Sequence, residues 1–243
     1  MFDQAVLDSI NVTAHSCVRI AGEKIIYIDP IRIEGEPHDA DIILFTHAHF
    51  DHFSPKDVKK LIKQGTVIGA PEKMAGKCRK AFGIEPVSFV PAMTYELCGV
   101  TVETVAAYNM RKRYHPKKMG WCGYILTICE TRVYIAGDTD STQESESVCC
   151  DIAVLPIGGM YTVDPTQAAE LANKIKPHTV IPYHYGKMLG GKDAPIKFKA
   201  ALDRDIESSV RLSAYTDIMM WCYIRIGSLM AVGAVLGLLI KMV

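Results

Sequence analysis

The chain has 243 residues, 49% of them hydrophobic, with 27 basic and 27 acidic side chains that cancel to a formal charge of zero. That is enough chain to bury one large core or two small ones, and the balance leaves no surplus of Lys or Arg to track a phosphate backbone, which disfavours nucleic acid as a partner. The acidic start with no apolar run after it argues against secretion, and eight cysteines with no C-x-x-C pair read as reduced core thiols in the cytoplasm.

In chain order, residues 11–20 read as a β-rich run, followed by a turn at Ala21-Gly22-Glu23-Lys24 and a strand Ile25-Ile26-Tyr27-Ile28 ending at Asp29-Pro30. Residues 41–45 form a short apolar strand leading straight into a histidine cluster. Ser54-Pro55-Lys56-Asp57 then has the form of a helix start, N-cap Ser followed by Pro, with the helix expected to reach about Lys63. A strand over 66–70, a helix over 71–82, and strands near Val87, over 101–106 and over 123–129 come next. A tight turn at Glu130-Thr131 leads into a strand over 133–136. The second half repeats the scheme, with a strand over 152–156, a helix opened by the capping-box pattern Asp164-Pro165-Thr166-Gln167, and a strand over 179–183 that delivers His184. Two β-rich halves, each followed by helices, predict an α/β fold of two face-to-face sheets with helices outside, a four-layer αββα sandwich.

The chemistry concentrates in Thr46-His47-Ala48-His49-Phe50-Asp51-His52. The i, i+2 spacing places His47 and His49 on one side of an extended segment, where they can share a metal. Asp51 and His52 follow after the chain turns towards Ser54 and can serve a second position. Imidazole with carboxylate suits zinc best, with iron or manganese also accommodated. A chance H-x-H-x-D-H in a chain with 8 histidines has odds on the order of one in a thousand.

In this motif, and in the order of Tyr27-Ile28-Asp29-Pro30 before it and Ala136-Gly137-Asp138-Thr139-Asp140 and Pro182-Tyr183-His184-Tyr185-Gly186 after it, the sequence resembles the metallo-β-lactamase superfamily over roughly residues 10–203. Its small single-domain hydrolase branch, which includes ascorbate-6-phosphate lactonase-like proteins, is the most similar. The resemblance implies that Asp138 bridges two metals and that His184 completes the site of Asp51 and His52. Asp29 is expected to orient a ligand histidine rather than to bind metal. Many members carry a further histidine where this chain has Ala107-Tyr108-Asn109. The nearest histidine is His115, and two readings stay open: a loop folds it back to complete the site of His47 and His49, or it is a solvent-exposed loop residue beside Lys117 and Lys118.

Two cations sharing a water would present hydroxide to an electrophilic carbonyl or phosphorus. The expected enzyme is a hydrolase of a small lactone, amide, ester or phosphodiester with two Zn2+ per chain. Asp51 would steer the proton. His15, in Ala14-His15-Ser16 on the expected first strand, and Tyr161, after Gly158-Gly159-Met160, are candidate catalytic residues near the mouth. A di-iron redox protein and a nucleic-acid processing hydrolase are the alternatives, disfavoured by the lack of a flavin-binding or strand-clamping domain. The expected division is a hydrolase domain over residues 1–212 and an apolar tail over residues 213–243. Residues 218–240 of the tail are apolar or small apart from Arg225 and Ser228, which reads as a membrane anchor, as a helix packed on the domain or on a partner, or as a segment foreign to the ancestral gene; assembly into a homo-oligomer stays open.

Overall fold

The computed structural model describes residues 2–186 and 189–212. Two sheets make up its body. The first has six strands in sequential order: β1 (Ile10–Ala14), β2 (Cys17–Ala21), β3 (Ile25–Ile28), β4 (Ala40–Leu44), β5 (Ile62–Pro71) and β6 (Val87–Phe89). The second runs β13 (Glu207–Ser208), β12 (Thr179–Tyr183), β11 (Ile152–Pro156), β10 (Thr131–Ile135), β9 (Cys122–Ile128), β8 (Val100–Ala106) and β7 (Thr94–Leu97).

Side-chain alternation sets the layers. In β4, Ile42 and Leu44 enter the central core, while Ala40 and Ile43 face the opposite way into a separate cluster with Val58 and Cys78. These two belong to helices α2 (Pro55–Lys59) and α3 (Ala75–Phe82). In β11, Ile152 and Val154 meet the central core, and Ala153 and Leu155 face Ala168, Leu171 and Phe198. Those come from α5 (Pro165–Ile175) and α6 (Ala194–Ala201). A period of two with both faces buried demands a layer of helix on each outer side, and the four-layer αββα arrangement follows. Helix α1 (Gln4–Ser9), capped by the Asp3 carboxylate on Ala5 N, buries Val6 and Leu7 in the central core; α4 (Gln143–Glu146) packs on α5 and β8.

Several expectations shift. The run over 11–20 is two strands, because the chain reverses at His15-Ser16 with His15 at φ 37 and no Gly or Pro to announce it. Helix α2 has its Ser54 cap and Pro55 as expected but stops at Lys59, so β5 begins at Ile62. The helix expected over 71–82 divides into a 3-10 turn, Glu72–Met74, and α3. Cysteines 17, 78, 122 and 150 are buried as expected, but Cys98, Cys129 and Cys149 are exposed. Cys98 and Cys129 occupy left-handed turn positions. No helix among the described residues is long and apolar enough to cross a membrane; the tail over 213–243 and its segment 218–240 lie outside the described residues.

Strands β3, β4, β5 and β6 run parallel, as do β10, β11 and β12. Chain leaving the ends of β3, β4, β10 and β12 carries Asp29, the 46–52 turn, Asp138 and His184.

Candidate metal centre

Seven residues singled out as ligands meet in one place. His47 Nε2 lies 3.1 Å from His49 Nδ1 and 3.3 Å from His115 Nε2. His184 Nε2 lies 3.1 Å from His52 Nε2 and 3.5 Å from Asp51 Oδ2. Between the two clusters sits Asp138. Its Oδ2 is 3.2 Å from His115 Nε2 and 3.9 Å from His47 Nε2, while its Oδ1 is 3.3 Å from His52 Nε2 and 3.2 Å from His184 Nε2. The loop folds His115 inward, leaving it 1% exposed.

The orientation of the imidazoles comes from a small network at the β3 and β4 ends. Asp29, fully buried, accepts from Thr46 N at 2.7 Å and from the Thr46 hydroxyl at 2.5 Å, and its Oδ2 stands 2.7 Å from His52 Nδ1. The Thr46 hydroxyl spends its one proton on Asp29, so it can only accept from His47 Nδ1–H, 2.9 Å away. Both rings thereby carry a proton on Nδ1 and turn Nε2 inward. Asp29 thus sits where an orienting carboxylate was expected, and Thr46 extends its reach to a second ring.

The donor set fits metal ions. Ligands 2.0–2.1 Å from a tetrahedral zinc lie about 3.3 Å from one another, which matches the nitrogen separations in both clusters. Lone pairs turned towards one another repel unless a cation or proton lies between them. Asp138 Oδ1, buried, has no hydrogen-bond partner. Burial pushes the Asp138 carboxyl up, but the His184 and His52 rings beside it, with His115 on its other oxygen, hold it well below the usual carboxylate range. For His52, burial works against the charged ring, yet Asp138, Asp29 and Asp51 outweigh it and raise its pKa well above the ordinary value. Two buried carboxylates, Asp29 and Asp138, and the partly exposed Asp51 therefore call for positive charge at this point. Burial and the neighbouring His52 hold His47 well below the ordinary value, as suits a neutral imidazole ligand.

Around this nucleus, His15 reaches the site from the β1–β2 turn rather than from a strand. Its Nε2 lies 3.6 Å from Asp51 Oδ2, its ring is 4.0 Å from that of His184, and its carbonyl accepts from His184 N at 3.0 Å. Burial and the adjacent His184 push its imidazole down to about 4 against the pull of Asp51, so it is neutral at pH 7. The Ser16 hydroxyl donates to the Asp51 carbonyl and fixes that turn. Tyr161 sits on the loop after β11 with its ring edge-on to Tyr114 at 4.6 Å. Asn109 Nδ2 donates to the Tyr161 carbonyl at 2.7 Å and lies 3.2 Å from His115 Nδ1, and Asn109 N donates to the His115 carbonyl at 2.8 Å. Trp121, buried, has its ring 5.0, 4.9 and 5.4 Å from those of His47, His49 and His115.

Sequence reasoning missed Thr46, Asn109 and Trp121. Only Thr46 carried a usable signal, a hydroxyl directly before the first ligand histidine. Four residues of the site, His15, Asp29, His115 and His184, have left-handed backbone, which a non-glycine residue adopts only when its surroundings enforce it. Gly158 lies close against one of them: a Cβ there would come 2.5 Å from the His184 carbonyl oxygen.

Comparison with known proteins agrees with this geometry. A family model described as a beta-lactamase superfamily domain matches residues 9–184. A UPF0173 metal-dependent hydrolase from Thermoplasma volcanium is 31% identical over 204 residues, covering 76% of this chain and 86% of that one. Among solved structures, a protein from Parabacteroides distasonis provisionally named a metal-dependent hydrolase is 32% identical, with a TM-score of 0.70 over 83% of this chain and 91% of its own. Igni18 from Ignicoccus hospitalis, described as a metallo hydrolase, shares the fold at 21% identity and a TM-score of 0.70, covering 84% and 94%. The chain therefore belongs to the beta-lactamase superfamily, with the metallo-β-lactamase fold, among its metal-dependent hydrolases.

Proposed function

We propose that the two clusters each hold one divalent cation, zinc fitting the donors best, and that the chain hydrolyses a small lactone, amide, ester or phosphodiester at this dinuclear centre. The observation that carries the reading is the division of the Asp138 carboxylate, Oδ2 to His115 and Oδ1 to His52 and His184. A carboxylate so placed would help to hold a cation in each cluster. His47, His49 and His115 would hold one cation, and Asp51, His52 and His184 the other. Iron or manganese would suit the same donors.

When bound, the cations supply polarisation of the substrate oxygen and a water of lowered pKa. The chain does the rest. Asp51, partly exposed, steers the nucleophile's proton, and the neutral His15 imidazole facing its Oδ2 holds that carboxylate in register. Asp29 and Thr46 fix the rings of His52 and His47 against rotation. Tyr161 is assigned as donor to the oxyanion that develops as the scissile bond is attacked.

The test is metal analysis of the purified chain alongside turnover of a panel of lactones and phosphodiesters. About two cations per chain are expected, with turnover abolished by chelation and restored by zinc. Full turnover in a metal-free preparation would overturn the proposal.

A further inference from the structure

Eight large apolar side chains stand exposed among the described residues, and half of them sit on the three loops around the metal centre. These are Phe50, Met110, Tyr114 and Met160, between 49% and 63% exposed. Phe50 lies between His49 and Asp51, the two ligand candidates that keep partial exposure while the others are buried, so the centre opens to solvent where Phe50 stands. Tyr114 directly precedes His115 and meets Tyr161, the neighbour of Met160, edge-on. Two of the loops thus close into one rim. Scattered exposed apolar residues are ordinary, but their concentration on the loops that carry the centre points to ligand contact.

The same rim is basic. Residues 110–118 carry five Lys or Arg and no acid, in a chain whose net charge is zero. Lys112 and Lys117 are tied to Asp140 and Glu144. Arg111 and Arg113 are exposed and have no ion-pair partner among the described residues. Their charge is available to a ligand.

We infer that the substrate is an amphiphilic anion, with an aliphatic or aromatic arm lying on Phe50, Met110, Tyr114 and Met160 and an anionic group drawn in by Arg111 and Arg113. The inference rests on the hydrolytic reading of the centre and names its substrate class. Water adds across the scissile bond, its hydroxyl to the carbonyl carbon or phosphorus and its proton to the leaving oxygen or nitrogen, so no further co-reactant is needed.

The experiment measures binding rather than turnover, by calorimetry on the metal-loaded full chain, with octyl phosphate and ethyl phosphate as probes. Octyl phosphate is expected to bind at least about tenfold more tightly, as burial of a few methylenes gives. The double variant Met110→Ser/Met160→Ser should erase that gain and leave ethyl phosphate affinity unchanged. Arg111→Ala/Arg113→Ala should weaken both probes several-fold, with the difference shrinking as salt rises. Equal affinity for the two probes, or a gain that survives the methionine changes, overturns the inference. So does a rim that docks on membranes instead, seen as co-sedimentation with 3:1 phosphatidylcholine/phosphatidylglycerol vesicles lost in both double variants without any chain-length gain. If the hydrolysis panel fails while the chain-length gain holds, the catalytic reading falls and the amphiphile site stands.

Discussion

The first half of the sandwich contributes His47, His49, Asp51 and His52 from a single turn after β4, whereas the second half contributes His115, Asp138 and His184 from three separate connections. On the first side, orientation is settled locally. Thr46 and Asp29 lie beneath the turn and govern His47 and His52 together. On the second side each residue has its own support: His184 N reaches across to the His15 carbonyl, and His115 depends on Asn109 and on a loop pinned by Lys112 to Asp140 and by Lys117 to Glu144. A contiguous turn couples the ligands it is proposed to supply, and dispersed loops leave theirs separable.

That contrast can be broken or sharpened experimentally. The largest effect is expected from Asp138→Ala, which removes the residue facing both clusters; metal content should fall from two towards none and turnover towards background, and a variant retaining both cations would end the bridging assignment. Next come His115→Ala and His184→Ala, each expected to lose one cation and keep the other. Equal loss of both cations in either variant would show that the clusters are not separable.

Asp29→Asn comes third. It leaves every ligand in place but weakens the hold on two rings, and a loss of about 10–100-fold in metal affinity is expected, measured by competition with a chelating dye. An effect confined to one cation would show that Thr46 does not carry the constraint across. Gly158→Ala tests the second half alone: with its Cβ against the His184 carbonyl, a destabilisation of about 1–3 kcal/mol is expected, together with selective weakening of the His184 cluster.

The smallest effect belongs to Glu144, whose carboxyl the Lys117 ammonium holds down from the ordinary 4.5 to about 2, burial opposing and the Tyr108 hydroxyl helping. A depressed carboxyl contributes its stability above pH 4.5 and loses it as pH falls through about 2. Glu144→Gln should therefore melt slightly below the parent at pH 7, with the gap closing between pH 4.5 and pH 2. Because the pair is solvent-facing, the gap will be small.

How much of this was legible in the sequence followed the same division. The 46–52 turn could be read because its residues are contiguous, and Asp138 and His184 because each follows a strand within a recognisable stretch. His115 could not be decided, since its inward path depends on Asn109 gripping both its carbonyl and the Tyr161 loop, contacts that no spacing encodes. The four layers were legible from the order of the elements, two β-rich halves each followed by helices. The reversal at His15-Ser16 was not, because it is made by left-handed backbone at a histidine inside an otherwise alternating run. Cys98 and Cys129 look like core thiols next to apolar strands, yet each marks the corner where a strand ends.

Each cluster draws on both sheets: His47 and His49 with His115, and Asp51 and His52 with His184, Asp138 facing both. With cations seated as proposed, the centre is a pair of rivets through the open end of the sandwich. Because binding free energy is then also folding free energy, a chain starved of metal would lose mechanical closure along with catalysis. Survival under protease digestion, with and without chelator, would report occupancy independently of turnover.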